Sequence, residues 1–171
     1  MKKGLKNTAV LVGICAVMAL LLAITNFITA PIIAENEAKA TEAALQQVMP
    51  DGQGFEKIDL DTDLPTTVIE AYREVGGGFV FKLKTAGYSS NMIIMCGVDA
   101  SGKVTGAVCL SSNETLGYEK EFGKSFVGLD STGVAEVDTV AGATKTTAAY
   151  RAAMSDALRA AETLRARGEG K

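Results

Sequence analysis

The sequence predicts an α+β fold: an antiparallel sheet with flanking helices, preceded by one N-terminal transmembrane helix. Three observations carry that expectation. Residues 7 to 34 contain no charged side chain. Between Thr67 and Leu110, short apolar or alternating segments are separated by turns rich in glycine and aspartate, which is how successive strands read. From Ala148 to Arg165 an alanine-rich stretch repeats its apolar residues at helical spacing.

The first element is an anchor. Ala9 to Ile24 is unbroken by strongly polar residues, and the uncharged run continues to Pro31. At about 1.5 Å per residue, such a helix crosses a hydrocarbon core of roughly 30 Å. Lys2, Lys3 and Lys6 precede the run, whereas Glu35 and Glu37 follow it. Positive charge is retained on the cytoplasmic side, so the N-terminus is expected inside and the remainder outside. A cleaved signal peptide shares the lysine-rich start and apolar centre. The run is long, however, no Ala-x-Ala site ends it, and Pro31 follows Ala30, so an uncleaved anchor is expected. Residues 1–34 are therefore assigned to a cytoplasmic tip and anchor, 35–50 to a helical stalk and 51–171 to an extracytoplasmic domain. Pro50-Asp51-Gly52 ends the stalk helix, Glu35 to Met49, with a turn.

The domain follows in order. Thr67 to Val75 is a strand candidate closed by Gly76-Gly77-Gly78, and Phe79 to Thr85 alternates like a half-buried strand. The glycines join two strands; no helix and no Lys-Ser/Thr follow them, so they are not a phosphate loop. Asn91 to Val98 is apolar on both faces and reads as a central strand. Asp99-Ala100-Ser101-Gly102 turns the chain into Val104 to Leu110. Folding that hairpin about Ser101 sets Cys96 near Gly106 and Cys109 near Ile93, too far apart for a disulfide, and both thiols read as buried small hydrophobes. A polar loop, Ser111 to Gly117, precedes a short helix from Tyr118 to Phe126. In the last helix Tyr150, Met154, Leu158 and Ala161 share one face, and Gly168 to Lys171 is expected to fray.

Composition removes several chemistries. There is no histidine, which excludes Ser-His-Asp and Cys-His catalysis and argues against a zinc site. The three cysteines lack CxxC spacing, so neither a disulfide framework nor an iron–sulfur site is indicated. All 20 acidic residues lie after the apolar run, which leaves the domain net acidic and argues against nucleic acid as a partner. Redox chemistry would require an organic cofactor.

One stretch points to such a cofactor. Asp138-Thr139-Val140-Ala141-Gly142-Ala143-Thr144-Lys145-Thr146-Thr147 runs straight into the last helix. A small Ala-Gly-Ala turn lets a ligand approach the backbone, and threonine hydroxyls at 144, 146 and 147 fall at a helix start. The free N–H groups and the helix dipole there favour an anion. The plainer alternative is a strand-to-helix turn with threonine as N-cap.

The anchor, the segments Gly87-Tyr88, Gly102-Lys103-Val104-Thr105-Gly106 and Asn113-Glu114-Thr115-Leu116-Gly117, and the stretch Asp138 to Thr144 together resemble a known family. It is the FMN-binding domain of the G subunit of the Rnf electron-transport complex, found also in the C subunit of the sodium-pumping NADH:quinone reductase. The resemblance covers nearly the whole chain. Its sharpest part is similar to the flavinylation pattern Asp-x-x-Ser/Thr-Gly-Ala-Thr, whose last threonine carries FMN through a phosphoester; carried over, that residue is Thr144. Position 141 is Ala where the family usually has Ser or Thr, and Leu116 directly follows Thr115 where many members have Pro-Gly-Leu.

The resemblance implies cofactor contacts from Glu114, Thr115, Leu116, Gly117, Asp138, Ala141, Gly142, Ala143, Lys145 and Thr146, with covalent FMN on Thr144 and no metal. It further implies a subunit of a redox-driven, ion-translocating ferredoxin:NAD oxidoreductase in the bacterial cytoplasmic (inner) membrane, acting as an electron relay. The implied partners are the other membrane subunits, a flavin transferase during maturation and membrane lipid. A stand-alone extracytoplasmic flavin carrier and a non-redox anchored binding domain are the alternatives.

Overall fold

The computed structural model describes residues 2–60 and 62–168, with side chains described from Asn7 onward. Residues 169–171, at the terminus expected to fray, lie outside the described residues. The chain divides into two compact units, residues 1–41 and 42–171.

The described residues of the first unit are helical and belong to α1, Lys2–Val48. Its apolar stretch is long enough to cross a membrane. Thr25 and Thr29 donate their hydroxyls to the carbonyls of Leu21 and Thr25 at 2.9 Å, which hides the polar atoms within the helix. The segment read as a helical stalk is helical, and α1 continues through residues 35–48 without a break.

The second unit begins with the end of α1 and is α+β. Five strands, β1 (Phe55–Ile58), β2 (Val68–Glu74), β3 (Phe79–Thr85), β4 (Met92–Val98) and β5 (Val104–Ser111), pair in sequence order, each antiparallel to the next. Both faces of the sheet are covered at its centre, as the two-sided apolar sequence of β4 requires. On one face Val80 and Met95 meet Ala44, Leu45, Val48 and Met49 of the chain's first helix and the turn after it. On the other, Phe79, Phe81, Leu83, Ile94 and Val98 pack against α4 (Thr144–Ala166) through Tyr150, Met154, Leu158 and Ala161. Phe122, Phe126 and Tyr150 stack and cross edge to face, with ring centroids 5.2 to 5.7 Å apart.

The seat for the end of α1 is built from absent side chains. Gly97 and Gly106 are cross-strand partners. A Cβ on either would lie 2.7 Å from the Val48 carbonyl oxygen. Into that gap Thr105 sends its hydroxyl, which donates to the Val48 oxygen at 2.6 Å and satisfies a carbonyl that the helix end leaves unpaired.

Three differences from the sequence expectation have local causes. Bulges at Ile93/Ile94 and Gly97/Val98 shift the β4–β5 register, so Cys96 faces Ala107 and Cys109 faces Ile94. Cys96 is fully buried and Cys109 only half-buried; both are free thiols. The segment after β5 divides into α2 (Glu119–Phe122) and a 3₁₀ turn (Gly123–Phe126) because Gly123 lies against the Ala107 carbonyl and the Tyr150 hydroxyl. The last helix starts at Thr144 rather than Ala148, and α3 (Ser131–Glu136) precedes it.

The β2–β3 turn carries an acid-sensitive lock. Burial raises the pKa of the Glu74 carboxyl, but hydrogen bonds from the N–H groups of Gln53, Gly76 and Gly78 outweigh it and hold the group below its ordinary value. A lowered folded pKa contributes stability that is present above the unfolded value and lost as pH falls through the folded one. The melting temperature of the domain is therefore expected to drop from about pH 5 to pH 3, and Glu74→Gln to flatten that slope, as read by circular dichroism at stepped pH.

Candidate functional site

The last helix supplies the centre of the site. Gly142 adopts φ +84°, a conformation that L side chains rarely take. The turn it makes is held from inside by Thr147, whose fully buried hydroxyl accepts the Val140 N–H at 3.1 Å and donates to the Ala143 carbonyl at 3.0 Å. Ala143 is the N-cap and provides no side-chain cap. The capping role considered for threonine is thus not filled, because Thr144 stands one position further on, as the first helical residue. Its hydroxyl is exposed and makes only a long 3.4 Å bond to the Val140 carbonyl. The first N–H groups of α4 have no carbonyl within the helix to bond, so they remain available to an acceptor in front of it.

A second element holds the first in place. Glu114, in the loop leaving β5, accepts the Thr146 hydroxyl at 2.6 Å through Oε2. The same carboxylate accepts the N–H of Tyr88 at 3.2 Å and that of Ser89 at 3.0 Å. One side chain therefore ties the start of α4 to the β3–β4 loop. Gly87 permits that approach: a Cβ there would lie 2.7 Å from Glu114 Oε1 and 2.8 Å from Thr146 Cα.

Between these elements lies a cavity of about 440 Å³, within the range of small-molecule and cofactor sites. Glu114, Thr115 and Leu116 line one side, and the backbone turn Gly142-Ala143 with Thr144, Lys145 and Thr146 lines the other. The structure thus brings together two sequence segments about thirty residues apart that were expected to meet. Gly117, Asp138 and Ala141 are not in the lining. Gly117 turns the loop with φ +72°, while Asp138 and Ala141 are exposed on the approach to α4.

Tyr88, named from the sequence only as part of the segment Gly87-Tyr88, also lines the cavity, as do Tyr118 and Glu119, which were not singled out as site residues. Tyr88 is 73 % exposed and carries Lys145 Nζ 6.0 Å from its ring centroid, a cation over an aromatic face at the cavity edge. Its place beside Gly87 was a usable signal, since glycine next to an aromatic in a loop marks a close backbone approach. Glu119 gave no signal, because a lone glutamate in a charged short helix reads as solvated.

An uncapped helix start with an exposed hydroxyl at its first residue closes one side of the cavity, an arrangement whose N–H groups and dipole suit an anionic group. Residues 87–159 of the chain match the FMN-binding domain family, and residues 1–48 match the RnfG N-terminal region. The chain is also similar to the G subunit of the Na(+)-translocating ferredoxin:NAD(+) oxidoreductase complex of Acetobacterium woodii, with 32 % identity over 123 aligned positions. That alignment covers 63 % of this chain and 59 % of the relative, so the chain spans less than two thirds of the relative's length. The matched FMN-binding segment contains both walls of the cavity and the first part of α4.

Proposed function

We propose that the cavity holds FMN, joined through its phosphate to the Thr144 hydroxyl, and that the chain is an electron-relaying subunit of an Rnf-type ferredoxin:NAD oxidoreductase. The observation that carries this reading is the exposed Thr144 hydroxyl, at an uncapped helix start and in the wall of a cofactor-sized cavity, inside a segment of the FMN-binding domain family. The residues present suit the group. N–H groups at the start of α4 would receive phosphate oxygens, Gly142 would let the ligand reach the backbone, and Lys145 would offset phosphate charge. Tyr88, Leu116 and Tyr118 offer flat or apolar surface to an aromatic ring. Glu114 would keep the two walls at a fixed separation. Bound there, FMN would supply reversible electron transfer.

A covalent tether suits a domain facing away from the cytoplasm, where free FMN would be dilute. The charge arrangement around the apolar helix supports that orientation: the N-terminus in the cytoplasm, one crossing of the bacterial cytoplasmic membrane and an extracytoplasmic domain. Maturation would then need a flavin transferase, and relay would need neighbouring membrane subunits to supply and remove electrons. The domain assigned from the sequence to residues 51–171 would be the part that the transferase recognises.

The test is chemical. The full chain, co-produced with an active flavin transferase, is expected to run as a fluorescent band on a denaturing gel and to gain the mass of one FMN. Thr144→Val, which keeps the shape and removes the hydroxyl, is expected to lose both. A wild-type band with no flavin would overturn the covalent reading.

A further inference from the structure

The apolar part of α1 carries two polar groups that a bilayer would leave unsatisfied. Lys6 and Glu35 bound the charge-free run, so the bilayer centre is expected between residues 20 and 21. At about 1.5 Å per residue Asn26 lies about 8 Å from that centre, inside a hydrocarbon half-thickness of about 15 Å. The neighbouring hydroxyls ask nothing of their surroundings, because Thr25 and Thr29 donate to the carbonyls of Leu21 and Thr25. Asn26 is different. Its carboxamide is exposed on the helix and has no hydrogen-bond partner among the described residues. Pro31, inside the same helix, has no N–H, so the Phe27 carbonyl four residues earlier loses its helical donor. Lipid tails supply neither donors nor acceptors, and a polar group at this depth is kept where a protein neighbour answers it.

The helix around Asn26 is two-faced in bulk. At spacings of three and four residues, Ala16, Ala19, Ala23, Asn26 and Ala30 share one face, whereas Val17, Leu21, Ile24 and Ile28 share the opposite one. Small side chains let a second backbone come close, and a carboxamide can hydrogen-bond across such a contact. We propose that the face running from Ala16 to Ala30 docks against a transmembrane helix of another membrane subunit, which answers the Asn26 carboxamide with its own polar group. The inference rests on the reading of the chain as an anchored complex subunit and says where that subunit is held. The chemistry selects the occupant. A lipid tail can cover the alanines but cannot pair with the carboxamide; a helix with a polar group at this depth does both. The match of residues 1–48 to the RnfG N-terminal region spans this whole face, so the segment is recognisable by more than its apolarity. An electron relay must also be kept beside its donor and acceptor, which favours a neighbouring subunit over a second copy of this chain.

The experiment uses the full chain, co-produced with the membrane subunits of an Rnf-type complex and solubilised in mild detergent. The fraction of the chain that migrates with the complex on a native gel is compared for wild type, Asn26→Leu, Asn26→Gln and Ile24→Leu. Asn26→Leu makes the span more apolar, so a loss cannot come from failed insertion. Its retention is expected to fall about threefold to tenfold, the scale of one hydrogen bond between membrane helices. Asn26→Gln, which keeps a carboxamide, should retain most of the association, and Ile24→Leu on the opposite face should retain all of it. A photo-crosslinking residue replacing Ala30 should give an adduct with another subunit, and one replacing Ile28 should not. Retention of Asn26→Leu equal to wild type would overturn the proposal alone. So would an adduct from position 30 with the mass of two copies of this chain. Wild type that carbonate washes from the membrane, or that stays anchored yet joins no complex, would overturn the anchored-subunit reading and this proposal with it.

Discussion

Gly106→Ala is expected to destabilise the domain by about 2–3 kcal/mol, lowering its melting temperature by roughly 10 °C. The added Cβ would sit 2.7 Å from the Val48 carbonyl oxygen and 2.8 Å from the Val48 Cα. Both are backbone atoms, so no rotamer change relieves the overlap; the helix end must lift from the sheet. Lifting it uncovers Val80 and Met95 and breaks the Thr105 bond to the Val48 oxygen. Gly97→Ala should act through the same seat, with a further clash against the Thr105 hydroxyl. Gly13→Ala is the control, because nothing lies within 4 Å of a Cβ there and alanine is the better helix former. Thermal unfolding in detergent measures the difference. Equal melting of Gly106→Ala and wild type would show that the helix end is not seated on the glycine pair.

The second large effect is expected at Glu114. Glu114→Ala removes the acceptor shared by the Thr146 hydroxyl, the Tyr88 N–H and the Ser89 N–H, and leaves Thr146, only 5 % exposed, with a buried unpaired hydroxyl. Hydrogen bonds to a charged group contribute about 1.5–3 kcal/mol each, and part of the loss is recovered by water at the exposed Tyr88 end, so a net cost of about 3 kcal/mol is expected. The functional loss should be larger than the stability loss suggests, because the β3–β4 loop and the start of α4 would no longer be held at a fixed spacing. Flavin load on the denaturing gel should fall severalfold in Glu114→Ala and less in Glu114→Gln, which keeps one acceptor oxygen. A Glu114→Ala protein with wild-type load and melting temperature would remove Glu114 from its structural role.

Much of this architecture could be read in advance because its elements follow short-range patterns. β3 was delimited to the residue by alternation, and β2, β4 and β5 to within a position, since glycine and aspartate turns bound them. The short edge strand β1 was missed. Its centre is Glu56-Lys57, and it is held by pairing with β2 and an ion pair from Arg73 to Glu56 rather than by an apolar pattern. Helix α3 was missed although its cap was in view: Asp130 accepts the N–H groups of Thr132 and Gly133, but one glycine in six residues hid the helix. The start of α4 was placed four residues late because Thr144-Lys145-Thr146-Thr147 has weak helix propensity, which burial of Thr146 and Thr147 overrides. The two walls of the cavity were legible as motifs. Glu119 was not, because a buried charge depends on what folds over it and leaves no periodic trace.

The order of strands has one more consequence. Each strand pairs with its sequence neighbour, so the sheet can assemble hairpin by hairpin from contacts that are close along the chain, which are the fast ones. The aromatic face of β3 then waits bare until α4, which follows every strand in the chain, arrives. The same helix brings Thr144, the N–H groups in front of it and Thr146, the partner that Glu114 requires. A chain interrupted before α4 would not present the Thr144 hydroxyl in its folded setting. A modifying enzyme that recognises the assembled cradle would mark only chains in which α4 has docked, so a prosthetic group attached there would double as a sign that the domain has folded.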